Sequence, residues 1–165
     1  MGEENNIIST FKQYSSWLST LKDMDGTLWS KPIAEGKWSV SEIIAHIINW
    51  DQHLLSEVIP SVRNEKGMNF PDFDTYNKKA SEYAKSGISQ VKLLEEANAT
   101  RELLVKELNE LPKEKLHKQL TANGVTYCPH TGTPYSLIYI VKEFIEHDNY
   151  HKRQIIHLLK DNNLA

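Results

Sequence analysis

Apolar residues recur along this chain at alternating spacings of three and four, the mark of helices with one buried face. Ile7, Phe11, Tyr14, Leu18 and Leu21 predict a first helix over 6–24, with Gly26 as its stop. Pro32 and Gly36 then mark an irregular connection. A second helix begins at Ser39, an N-cap with Glu42 three positions on, which is the pattern of a capping box. Its inward face is Ile43, Ile47, Trp50, Leu54 and Val58, and Pro60 is expected to end it. A third covers 88–111, with Val91, Leu94, Leu104, Leu108 and Leu111 inward and Pro112 closing it. The fourth is expected to start after Thr133-Pro134, Thr capping and Pro in first position, and to run to about Lys160.

Between the second and third helices lies a polar stretch, 61–87, holding Gly67, Pro71 and a short helix around 74–85. A second loop, 119–133, carries Gly124, Pro129 and Gly132. No segment alternates like a strand and none repeats. The expected fold is therefore all-α, a four-helix bundle whose long crossover lets consecutive helices run parallel. At 165 residues the chain suits one domain, 1–165, and chains of this size bury about 70% of their unfolded surface.

The fourth helix places imidazoles where a core takes Leu or Ile. Leu137, Phe144, His151 and Leu158 follow a seven-residue repeat, and Ile140 and His147 follow it on the next track. Burying such rings costs free energy unless each finds a partner. Four positions apart, His147 and His151 share a face, with Cβ atoms about 5–6 Å from each other. His46 falls at the apolar border of the second helix, where Glu42, Asn49, His53 and Glu57 continue a polar stripe. A lone His there is more often a hydrogen-bonded core or boundary residue than a ligand, but three imidazoles from two helices meeting inside a bundle would give one divalent metal a site. Three protein ligands with places left open are the catalytic pattern, whereas closed structural zinc sites use four. Imidazole suits zinc, nickel, iron or copper alike. Because ligation needs the neutral ring, affinity is expected to fall as pH drops through about 6.5.

Other patterns are weaker. His147-Asp148-Asn149-Tyr150-His151 has the spacing of a zincin helix, but Asp148 stands where the general-base Glu is needed. Glu143, four residues before His147, does not complete a di-iron Glu-x-x-His pair. Asp51, Glu143 and Asp148 are the carboxylates able to accept a proton or steady a ligand ring. His53 suits a pocket or the surface, His130 a solvated loop or a place hanging over the site, and His117 and His157 the surface. Cys128 has no cationic neighbour in sequence to activate it, and no role is expected of it. Trp29, Trp50, Phe70 and Phe73 suit either a pocket, shaped by the loops 61–87 and 119–133, or the core and its lid.

Charge narrows the partners. Lys and Arg number 19 against 22 Asp and Glu, a net −3, and the signs interleave as in Lys113-Glu114-Lys115. No face is basic enough for nucleic acid. No apolar run approaches a membrane span. Met1–Asn5 lacks the features of a secretory signal, and Asn6 stands where a myristoylation signal wants Ser or Thr. The lone Cys128 forms no internal disulfide, which fits a reducing compartment. A cytoplasmic protein acting on a small molecule is the expectation.

Two segments carry a family resemblance: Lys37-Trp38-Ser39-Val40-Ser41-Glu42-Ile43-Ile44-Ala45-His46, and His147-Asp148-Asn149-Tyr150-His151-Lys152-Arg153-Gln154-Ile155. They resemble the DinB-like (DinB/YfiT) family of metal-binding four-helix bundles. There a Trp-Ser-x-x-Glu/Asp stretch leads into a helix bearing one ligand His, and an HxxxH in the last helix supplies two more. Tyr150 and Lys152-Arg153 depart from the family's His-His-Arg-Gly-Gln-Ile, while the ligand position His151 is kept. The resemblance implies that His46, His147 and His151 bind a divalent ion such as zinc, nickel or iron. It implies frequent homodimers, and an S-transferase that joins a low-molecular-weight thiol such as bacillithiol to an electrophile. Hydrolysis by metal-activated water, and a bundle merely stapled by metal without catalysis, are the alternatives.

Overall fold

Local signals at the helix ends set the frame of the computed structural model, which describes residues 2–162. Helix α1 spans Glu3–Leu18 and tightens into a 3-10 turn, Ser19–Leu21. The short α2, Gly26–Ser30, starts where the Asp25 carboxylate accepts from the Thr27 N–H at 2.7 Å. α3, Val40–His53, opens with the expected capping box: the Ser39 hydroxyl accepts from the Glu42 N–H and the Glu42 carboxylate from the Ser39 N–H, both at 3.2 Å.

Pro60 does not end this helix. A π-helical segment, Leu54–Val58, leads directly into α4, Ile59–Arg63, with Pro60 in its first turn. The wider π turn restarts the ladder, so the position without an N–H falls where an orphan donor would otherwise stand.

Helix α5, Phe73–Ala84, matches the short helix expected in the crossover, and Asp72 caps it by accepting from Thr75 N–H at 3.0 Å. α6 is Gln90–Glu110, ending before Pro112 as expected. Val91, expected inward, is 60% exposed. The inward track passes instead through Gln90, whose amide donates to the carbonyls of Leu21 and Met24 at 3.1 and 3.0 Å. After Pro112 comes one short helix the hydrophobic pattern did not announce, α7, Lys113–His117.

α8 spans Leu137–Asp161 and is capped by Ser136, which accepts from Tyr139 N–H at 3.2 Å. Thr133-Pro134 does not start it. That pair belongs to a backbone-paired loop, with Leu120 N–H donating to Tyr135 at 2.9 Å and Cys128 N–H to Thr133 at 2.8 Å. Pro134 itself faces Tyr127 in an isolated bridge. Backbone committed to such pairs is not available to a helix. Among the described residues there are isolated bridges and no strand.

The long helices α1, α3, α6 and α8 form the bundle, α1 packing on α6 and α8 while α3 packs on α5 and α6. One apolar cluster includes Phe11, Leu54, Leu104 and Val141, and another Tyr14, Ile44, Leu93 and Ile155. Arg101 of α6 joins them, its guanidinium over the Phe11 ring at 3.8 Å and the Tyr14 ring at 4.3 Å. It is fully buried, and every one of its N–H groups is used. Nε donates to Asp51 Oδ2 at 2.8 Å, and Nη1 to Asp148 Oδ2 at 2.8 Å and the Phe11 carbonyl at 2.9 Å. Nη2 donates to Asp51 Oδ1 at 3.1 Å and Asp148 Oδ1 at 3.2 Å. A buried guanidinium is tolerable only with such full satisfaction. All the long helices therefore meet at one side chain.

Candidate metal centre

The three histidines come together. His46 rises from α3, and His147 and His151 from successive turns of α8. Nε2 of His147 lies 2.9 Å from Nε2 of His46 and 3.2 Å from Nε2 of His151. The potential ligand atoms all lie within 4.8 Å of one another. His46 and His151 are 5% and 7% exposed. Their rings are wedged against Trp38, whose centroid is 4.8 Å from that of His46.

The surrounding hydrogen bonds decide which nitrogens are free. The Trp50 indole N–H, which can only donate, meets Asn77 at 2.9 Å, so that atom of Asn77 is the carbonyl oxygen. The same oxygen lies 2.9 Å from His46 Nδ1, which must then carry the proton and leave Nε2 bare. Gln154 Oε1, 2.7 Å from Nδ1 of His151, does the same for that ring. Burial first, then the neighbouring His147 and His151, pulls His46 down to about 3. His147 is lowered to about 4 by burial, His151 and Arg101, and burial lowers His151 as well. All three rings are neutral near pH 7, with lone pairs turned on one another. A single proton on His147 Nε2 can satisfy one neighbour, not both. A cation among them satisfies all: imidazole–zinc bonds of about 2.0–2.1 Å set ligand nitrogens about 3–4 Å apart. The donor set fits one divalent ion.

The fold aims these rings. The capping box fixes where α3 starts, and thereby where His46 points. On α8, Asp148 turns into the bundle toward Arg101 while His147, one residue earlier, turns about 100° away. Arg101 was not anticipated from the sequence. The available signal was its place on the apolar track Leu94-Ala97-Arg101-Leu104-Leu108, where a charge demands buried partners.

A cavity of about 520 Å³ opens beside the triad, lined by both His46 and His147. Phe70, Phe73 and Asn77 reach it from the first long loop, and Ala122, Asn123, Cys128 and His130 from the second, as their lengths suggested. Trp50 lines it too, whereas Trp29, 5% exposed, packs the core. His53 does not line the cavity; its Nε2 meets the Asn69 carbonyl at 2.7 Å. His130, expected on a solvated loop or hanging over the site, is exposed and lines the cavity. His117 and His157 lie elsewhere, paired with Glu4 at 3.2 Å and Asp161 at 3.3 Å.

Two readings of side chains change here. Cys128, which had no expected role, is 4% exposed and forms part of the cavity wall. The Tyr139 hydroxyl and the backbone of His130 and Thr131 beside the sulfur draw its thiol down to about 6. The largest of these causes, Tyr139, stands across the loop on α8, and all of them are hydrogen-bond donors rather than cations, which is why a search for a cationic neighbour did not show the activation. Asp51 and Asp148 are closed off by Arg101, and burial raises both, Asp51 to about 6. Of the three carboxylates considered, Glu143 alone lines the cavity.

The model of the DinB superfamily matches residues 12–155, and the chain belongs to that superfamily. Among solved structures it is similar to YfiT from Bacillus subtilis, described as a probable metal-dependent hydrolase with an unusual four-helix bundle topology. The TM-score is 0.72 at 13% sequence identity, covering 100% of this chain and 91% of that one. No curated protein sequence matches the chain. No helix among the described residues is long and apolar enough to cross a membrane.

Proposed function

We propose that the chain is a metal-dependent enzyme acting on a small molecule, with His46, His147 and His151 holding one divalent ion. The observation that carries this reading is the convergence of their Nε2 atoms, 2.9 and 3.2 Å from neighbour to neighbour, at the wall of an open cavity. Three protein ligands beside open space are the catalytic arrangement. A divalent ion bound there supplies a Lewis acid that brings the pKa of water or of a thiol toward neutrality. The chain supplies the rest. Asn77 and Gln154 fix the ligand tautomers, and the aromatic walls exclude water and hold the body of the substrate. Glu143, one turn before His147, takes up the proton released when the nucleophile forms.

That role for Glu143 favours hydrolysis, in keeping with the description of YfiT. S-transfer from a low-molecular-weight thiol is a second reading, favoured by a cavity of about 520 Å³, enough for thiol and electrophile side by side. Either way, the family resemblance leads us to take the protein as a homodimer using zinc, nickel or iron, and the lone Cys128 suits a cytoplasmic setting. Purified protein loaded with each ion, assayed on aryl esters with and without a thiol and electrophile, separates the two. Ester cleavage without thiol supports hydrolysis, and turnover that requires thiol supports transfer. No rate above that of the metal-free protein or of His147→Ala removes both.

A further inference from the structure

The walls of the cavity carry information about charge that the metal reading does not use. They are aromatic: Trp50, Phe70, Phe73, Tyr135 and Phe144 line the space. Trp50 and Phe73 stand nearly perpendicular, at 85° with centroids 5.4 Å apart, so one presents a face where the other presents an edge. Ring faces are electron-rich and attract cations, quaternary ammonium groups among them. Glu143 is the carboxylate among the lining residues, and no Lys or Arg lines the cavity. Two cations close to its lining residues in sequence or space are engaged elsewhere. Lys142, next in sequence to Glu143, reaches Glu3 at 3.0 Å, and Arg101 is held between Asp51 and Asp148.

We infer that the side chains of this cavity prefer aromatic-bodied ligands that are neutral or cationic over those with an anionic tail, Glu143 setting the preference, while an ion bound at the triad would exert the opposite pull on the group nearest to it. The inference rests on the proposed function only in taking this cavity as the substrate site. It narrows the part of the substrate that lies against the aromatic walls, away from the triad, to one with neither phosphate nor carboxylate. A thiol co-substrate bearing carboxylates finds no basic side chain among the lining residues, which weighs against the transfer reading.

The test uses ligands of one shape and different charge: benzyltrimethylammonium, its carbon isostere neopentylbenzene, and phenylmethanesulfonate. The first two offer no lone pair to a metal. Binding to the full-length protein is measured by equilibrium dialysis, metal-loaded and after chelation. In the chelated protein the ammonium should bind at least about ten-fold more tightly than the sulfonate. Glu143→Gln should bring the ammonium to within about three-fold of the neutral isostere, and Phe144→Ala should weaken both. Equal or tighter sulfonate binding to the chelated protein overturns the inference, as does an ammonium affinity indifferent to Glu143→Gln. Because the readout is binding, absence of ester cleavage would remove the hydrolase and leave this result standing.

Discussion

Asn77 holds His46 in place: its amide oxygen lies 2.9 Å from the ring Nδ1 while also accepting from the Trp50 indole. Residues from the crossover thus set the tautomer of a histidine on α3. Asn77→Leu should lower affinity for zinc by about 10–100-fold, the usual scale for losing an outer partner of a ligand. Competition with a chromophoric chelator measures it, and an affinity equal to that of the parent protein contradicts the assignment.

Arg101 offers a second test. Arg101→Met leaves Asp51 and Asp148 buried without their counter-charge, at a cost of about 3–5 kcal/mol. Urea unfolding at pH 7 reads this loss. The sign with pH is definite: buried carboxylates with raised pKa favour the folded state when protonated, and that advantage disappears as pH rises. The gap between variant and parent should therefore narrow toward pH 4, and adding Asp51→Asn and Asp148→Asn should restore part of the stability at pH 7.

The ligand rings predict an acid response. His46 and His147 titrate at about 3 and about 4 when folded, below the ordinary 6.5. Between those limits the unfolded chain binds protons that the native state refuses, so stability of the metal-free protein falls as pH drops from 6.5. The slope is about 1.4 kcal/mol per pH unit for each ring. Urea midpoints at pH 7.5, 6 and 5 follow it, and His46→Leu should remove one ring's share. The same low values revise the expectation that metal is lost near pH 6.5. Because burial lowers all three rings, metal should be retained below pH 6.5 and lost as pH falls further; metal content after dialysis at pH 7.5, 5 and 3 reads the loss, and equal occupancy throughout counts against His ligation.

Cys128 should behave as a thiolate. With its thiol drawn to about 6, its alkylation by iodoacetamide should change little between pH 7 and 9, whereas an ordinary thiol speeds up steeply over that range. Tyr139→Phe should restore the ordinary pH dependence. Mass spectrometry of the labelled peptide gives both rates.

Much of this was legible from residue spacing. The capping box at Ser39 and Glu42, the helix at 73–84 and the shared face of His147 and His151 follow from local rules of three and four. The meeting of His46 with that pair was suggested instead by the family resemblance together with their places on two apolar helices. What escaped was set by groups distant in sequence. Pro60 was misjudged because the π turn before it is a tertiary adjustment, and Val91 because Gln90 finds carbonyls on another segment. The start of α8 shifted because the loop backbone pairs with itself. Arg101, Asn77 and the activation of Cys128 depend on partners tens of residues away or across a loop, where periodicity says nothing.

The guanidinium at the crossing of the four long helices has one more consequence. With the bundle cross-braced from behind the ligand rings, the ion need not be what keeps the helices together. An emptied protein would keep its shape and stand ready to be refilled. Which metal it carries would then be governed by the supply around it rather than by an act of folding, and loading could be reversed without sacrificing the molecule.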